Sequence, residues 1–260
     1  MIFHWDIINL AVFGAIALRC AVLAATLPLL DQRNVPLLWR LALSVVVALA
    51  VAPVVVSRLD LSTLQLSWPI VATEVGRSLL VGALLSFTLG LVFTAVRYAG
   101  QIMGMQIGFA IVNTIDPQSG AQVSVLSHFY YLLAFLLFFA VDGHHVLMAS
   151  LVYSCTVLPL FAPVDVVAGS WFLLQEYSQI FRIGLQIAAP CVIVLLMVSA
   201  TMGVVVKTVP QLNVLVVGFP IKIGAGLLVV GLSLTFFRDV ILNLFNGMES
   251  QLTGILTALQ

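Results

Sequence analysis

The chain has 260 residues, 62% of them hydrophobic and only 8% charged, and its ten basic and ten acidic side chains balance to a formal charge of zero. With a mean hydropathy of +1.21, this excludes an ordinary soluble domain, where about a quarter of residues are charged, and describes an integral membrane protein or a subunit buried in a membrane assembly. No basic run is present, so nucleic acid is excluded as a partner.

From the amino terminus, MIFHWDII lacks the positive n-region of a signal peptide and no small-residue cleavage site follows, so the first apolar run is expected to be retained. Helical segments are expected at about 7–30, 38–57, 70–97, 123–141, 145–158, 175–207 and 221–245. Several reach the roughly 20 apolar residues that cross a hydrocarbon core at about 1.5 Å of rise each. The period-two alternation of a membrane barrel is absent, leaving an all-α membrane-type fold. Pro36, Pro53, Pro69, Pro117, Pro159 with Pro163, Pro210 and Pro220 mark the breaks.

Charges inside the apolar runs come early. Arg19 lies midway along the first run, where an arginine costs about 2.5–3.5 kcal/mol on insertion scales, so it must face protein or water. Glu74 and Arg77 are three residues apart and can pair on one helical face. The loop and flanking cations divide almost evenly, with Arg33, Arg40, Arg97, Arg182 and Arg238 on one side and Arg58, Arg77, Lys207 and Lys222 on the other. A conventional spanning protein concentrates Lys and Arg on the cytoplasmic side, so this near tie leaves orientation open.

In mid-chain, Gly100, Gly104 and Gly108 repeat every four residues in GQIMGMQIG. That spacing places bare backbone on one helical face, for close packing or for bending. GFAIVNTIDPQSGAQ follows, polar and turn-forming, between two membrane-length runs. A loop of about ten residues exposed to lipid would forfeit tens of kcal/mol in unpaired backbone groups. Asp116 before Pro117 disfavours helix. Residues 107–123 are therefore an external loop, or a re-entrant one enclosed by protein or lining an aqueous path, and Phe109, Ile111, Val112 and Ile115 favour the enclosed form.

Enzyme signatures are absent. VDGHHVL clusters Asp142, His144 and His145, but adjacent histidines on a helix point about 100° apart and no HExxH occurs, so no metal site is expected. There is no GxSxG. KIGAGLLVVG lacks the GxGxxG order, so no cofactor is expected either. Cys20, Cys155 and Cys191 are isolated in apolar runs and are expected to be buried free thiols.

Taken together, LRCAVLAATLP (18–28), RNVPLLWRLALS (33–44), GQIMGMQIGFAIVNTIDP (100–117), DGHHVL (142–147) and PQLNVLVVGFPIKIG (210–224) resemble, in order and spacing, the FliR family of flagellar export-gate subunits and its injectisome relatives, the SctT group. VGFPIKIG resembles the flagellar branch more. The resemblance implies a non-enzymatic membrane subunit, without cofactor, in the flagellar basal body of the bacterial inner membrane. It implies assembly with FliP-like and FliQ-like subunits into a gate passing unfolded export substrates, with an FlhB-like subunit associated and lipid around it. Residues of about 1–170 would be FliP-like and about 171–260 FliQ-like.

In the family the stretch matching 107–123 forms a plug loop inside the closed pore. Here it begins with Ile107, Gly108, Phe109, Ala110, Ile111 and Val112 and continues through Asn113, Thr114, Ile115, Asp116, Pro117, Gln118, Ser119 and Gly120. The chain departs from the family's acidic-or-Asn, Gly, His pattern after its first histidine, so His145 carries over no role. Two rival readings stay open: a small secondary transporter using Arg19, Glu74, Arg77 and Lys222 as a charge network, and an inert assembly scaffold.

Overall fold

The computed structural model describes residues 7–26, 36–57, 67–109, 125–158, 166–209 and 213–259. Among these, all regular structure is helical: α1 (Ile7–Thr26), α2 (Leu37–Val56), α3 (Trp68–Ile107), α4 (Val125–Ala140), α5 (Gly143–Val157), α6 (Val166–Thr208), α7 (Val214–Asn246) and α8 (Met248–Ala258). Five stretches are long and apolar enough to cross a membrane: three from α1, α2 and α3, a fourth at Leu174–Thr208, and a fifth at Val216–Thr257. The broken pair α4 and α5 would make a sixth. The all-α membrane-type expectation is met.

Several boundaries differ from the sequence reading. Helix α3 runs 40 residues, and its glycines do not interrupt it; at Gly82 and Gly100 neighbouring helices come close. Pro220, read as a break, lies inside α7. It removes one intrahelical hydrogen bond near the start of a 33-residue helix, which the remaining bonds absorb. Pro53 and Pro190 are likewise inside α2 and α6. Helix α8 was not expected, since MESQLTGILTA dilutes its apolar residues with Ser, Thr and Gly. Its buried Met248, Leu252, Ile255 and Leu256 recur at helical spacing, and it packs on α5. Pro117, Pro159, Pro163, Pro210, Arg33 and Arg58 lie outside the described residues.

Two compact units emerge, each assembled from separated stretches: Met1–Leu91, Asp142–Tyr177 and Asn246–Gln260 in the first, Val92–Val141 and Ser178–Phe245 in the second. In the first, α1 and α2 pair, with Val12, Ile16, Leu23, Val81, Leu85 and Leu151 buried. The second is built on aromatics: Phe93 meets Tyr131, Phe138 and Phe245 at centroid distances of 5.7, 5.9 and 5.9 Å. Tyr130 meets Phe237 at 4.8 Å. Such pairs are worth about 0.5–1.5 kcal/mol each beyond their buried area. Compactness divides the chain differently from the boundary expected near residue 170, which concerns relatedness to other subunits and not contacts.

Large apolar side chains face outward, among them Trp39 and Val46 on α2, Met197 and Val204 on α6, and Leu228 and Leu232 on α7. Within Leu174–Thr208 only 11% of the window is buried. Such faces need hydrocarbon or another subunit against them.

Candidate functional site

Of the expected plug, Ile107, Gly108 and Phe109 are described; Ala110, Ile111, Val112, Asn113, Thr114, Ile115, Asp116, Pro117, Gln118, Ser119 and Gly120 lie outside the described residues. What the structure gives is how the two ends of this loop are held. Helix α3 stops in a Schellman motif: the Phe109 N–H donates to the Gly104 carbonyl at 3.0 Å, and the Gly108 N–H to the Met105 carbonyl at 3.2 Å. Gly108 has φ of +106°, open to glycine and strained for any side chain. Ile107 is fully buried, and α7 approaches so closely that a Cβ on Gly226 would stand 2.5 Å from its Cγ1.

At the far end, Ser127 Oγ donates to the Arg97 carbonyl at 2.9 Å. A Cβ on Gly100 would collide with the Ser127 backbone, its nitrogen only 2.8 Å away. So the chain leaves α3 after Ile107 and returns onto α3 at Gly100, about 10 Å back along the helix axis. The glycine repeat thus holds different jobs. Gly100 admits α4, Gly104 is buried and supplies the capping carbonyl, and Gly108 turns the chain. Gly100→Ala is expected to lower stability by about 1–3 kcal/mol through overpacking against backbone, and Gly108→Ala by about 1–2 kcal/mol through its positive φ. Denaturant unfolding in detergent checks both.

The expected intramembrane charges come together only in part. Arg19, Glu74 and Arg77 meet in the first unit, 0%, 3% and 7% exposed. Arg19 Nη2 lies 3.3 Å from Glu74 Oε1, and Arg77 Nη1 3.5 Å from Oε2. The rest of the Arg19 guanidinium is shared out: Nε donates to Ser78 Oγ at 3.4 Å, and Nη1 to Ser154 Oγ at 3.2 Å and Cys155 Sγ at 3.5 Å. Ser78 Oγ in turn donates to Glu74 Oε1 at 3.1 Å.

Arg77 Nη2 donates to the Leu158 carbonyl at 2.6 Å. That carbonyl stands at the carboxy-terminal end of α5, where helix dipoles favour a cation. This places partial negative charge beside a cluster of two guanidiniums and one carboxylate. The geometry ties α1, α3 and α5 at one point. Lys222 belongs to the second unit, half-buried on α7, and makes no ion pair among the described residues.

The sequence alone does not announce Ser154, Cys155 or the Leu158 carbonyl, which arrive from far along the chain. Ser78, one turn after Glu74, was readable from its i+4 spacing. Cys20, Cys155 and Cys191 are buried free thiols.

At the start of α5 the expected divergence of the two histidines is not what the structure has. The ring centroids of His144 and His145 lie 4.1 Å apart, and Asp142, in the left-handed region with φ of 55°, brings Oδ1 to 3.3 Å from His145 Nδ1. A regular helix fixes the direction of Cβ; ring rotation and the turn before Gly143 close the gap.

With this geometry in place, the comparisons are specific. The model of the family described as bacterial export proteins, family 1, matches residues 10–248. The flagellar biosynthetic protein FliR of Pectobacterium carotovorum subsp. carotovorum is 31% identical over 256 residues, covering 98% of this chain and 97% of that protein. The protein of the same name from Bacillus subtilis (strain 168) is 31% identical, covering 90% of each chain. That of Escherichia coli (strain K12) is 30% identical, covering 93% of this chain and 91% of its own.

Proposed function

The chain belongs to the FliR family of bacterial export proteins, and from that premise we propose that it is a wall subunit of the flagellar export channel whose loop at 107–123 closes the pore. It is a flagellar export-apparatus component of the inner membrane and basal body. In this reading it assembles with FliP-like and FliQ-like subunits, an FlhB-like subunit associates with them, and unfolded substrates pass through without any catalytic step here. About 1–170 is the FliP-like part and about 171–260 the FliQ-like part.

The observation that carries the proposal is the anchoring of the loop. A polar, proline-containing stretch departs from a buried, glycine-capped helix end and returns at a glycine contact on the same helix. Fixed ends about 10 Å apart along one axis let the middle of a loop shift while the wall of helices stays in place. Phe109, Ile111, Val112 and Ile115 can hold it shut at about 1.5–3 kcal/mol per fully buried side chain. Asn113, Gln118 and Ser119 tolerate water once it is displaced.

The buried cluster bears on the transporter reading. Arg19, Glu74 and Arg77 are engaged with one another and with α5, as a structural clasp would be, and Lys222 is not among them. The experiment is twofold. A tagged copy of the chain is expected to bring down FliP-like and FliQ-like subunits in a stable complex, and the purified chain alone in liposomes to move neither protons nor small solutes. Transport by the isolated chain would replace the channel-subunit reading with the transporter one.

A further inference from the structure

We propose that Asp142, His144 and His145 form a binding site for a divalent late first-row transition ion such as Zn²⁺ or Co²⁺. Each of the three offers one ligand atom, and these atoms all lie within 4.8 Å of one another. The 3.3 Å between Asp142 Oδ1 and His145 Nδ1 equals the edge of a tetrahedron, about 3.3–3.4 Å, whose centre sits about 2.0–2.1 Å from its corners, the metal–ligand length for imidazole and carboxylate. Two imidazoles and one carboxylate suit the borderline ions and not Mg²⁺ or Ca²⁺, which take oxygen.

The backbone supports this reading. An aspartate just before a helix normally turns its carboxylate back onto the first free N–H groups. Asp142 occupies that position and makes no such side-chain bond. Its carboxylate is directed instead at His145, from a left-handed conformation uncommon for a residue other than glycine. A surface Asp–His pair alone is worth about 0–1 kcal/mol. Asp142 and His145 are 73% and 72% exposed in their side chains, so an ion could enter directly and keep water in its remaining position. Bound there, it would tie the residue before α5 to that helix's first turn.

The test uses the full-length chain in detergent, purified without a histidine tag and titrated with Co²⁺ while its visible ligand-field absorption is followed. One saturable equivalent, displaced by Zn²⁺, is expected. Asp142→Ala and His145→Ala should each weaken binding about ten-fold or more, and His128→Ala should leave it unchanged. Lack of a one-equivalent signal in the unaltered chain overturns the proposal by itself, whatever the variants do. Unaltered binding by His145→Ala overturns it too, as does an equal loss in His128→Ala, which would mean scattered surface imidazoles.

Discussion

Glu74→Ala is expected to cost the folded chain about 3–5 kcal/mol, the penalty for removing one partner from a buried ion pair. The reason is what stays behind: Arg19 and Arg77, 0% and 7% exposed, would share a closed space with no carboxylate. Ser78, Ser154 and the Leu158 carbonyl still accept hydrogen bonds, but none carries a full charge. Glu74→Gln keeps acceptor oxygen and should fall between. Replacing all three charges, as Arg19→Met, Glu74→Leu and Arg77→Met together, should be less damaging than Glu74→Ala, because no orphan charge remains. Unfolding in detergent, followed by helicity, gives the ranking. A Glu74→Ala chain within about 1 kcal/mol of the parent, the range of exposed pairs, would mean that water reaches the cluster.

Deleting residues 110–120 is expected to make cells leak small solutes while the complex still assembles. The geometry permits the deletion. Residues 108–109 and 121–124 would remain between Ile107 and Val125, and six residues reach about 20 Å when extended, against ends set about 10 Å apart along α3. Neither anchor is touched, since the cap at Gly108 uses Gly104 and Met105 and the return contact uses Gly100 and Ser127. What goes is the loop's polar middle together with Ile111, Val112 and Ile115. Assembly is read by co-purification and permeability by uptake of a small dye or a drug normally excluded. Normal assembly with unchanged permeability would remove the plug from the account and leave the scaffold reading.

Much of this was legible in the sequence, and the reasons differ by element. Long charge-poor runs specify membrane-type helices because few other structures satisfy their backbone in lipid. The Glu74–Arg77 pair was readable from one helical turn of spacing, and Arg19 from the cost of leaving it in hydrocarbon. Its partners Ser154 and Cys155 were not, since a contact spanning more than 130 residues leaves no local periodicity. Pro220 misled because proline's penalty is local, whereas α7 is long enough to carry a missing bond. Helix α8 was overlooked because its four buried residues stand among Ser, Thr and Gly.

The glycine repeat was read as a face for close packing or for bending; that Gly100 admits a helix while Gly108 turns the chain is a distinction that lies in φ and not in spacing. The divergence expected of His144 and His145 failed for a related reason: helical geometry fixes Cβ directions and leaves the rings free to meet.

The most direct measurement places a photo-activated crosslinking amino acid at Asn113 in the assembled apparatus and stalls an export substrate by fusing it to a tightly folded domain. A pore-closing loop predicts crosslinks to the stalled substrate, and crosslinks to neighbouring export subunits when no substrate is engaged. Crosslinking to lipid alone, or none to substrate under stalling that demonstrably fills the channel, would contradict it.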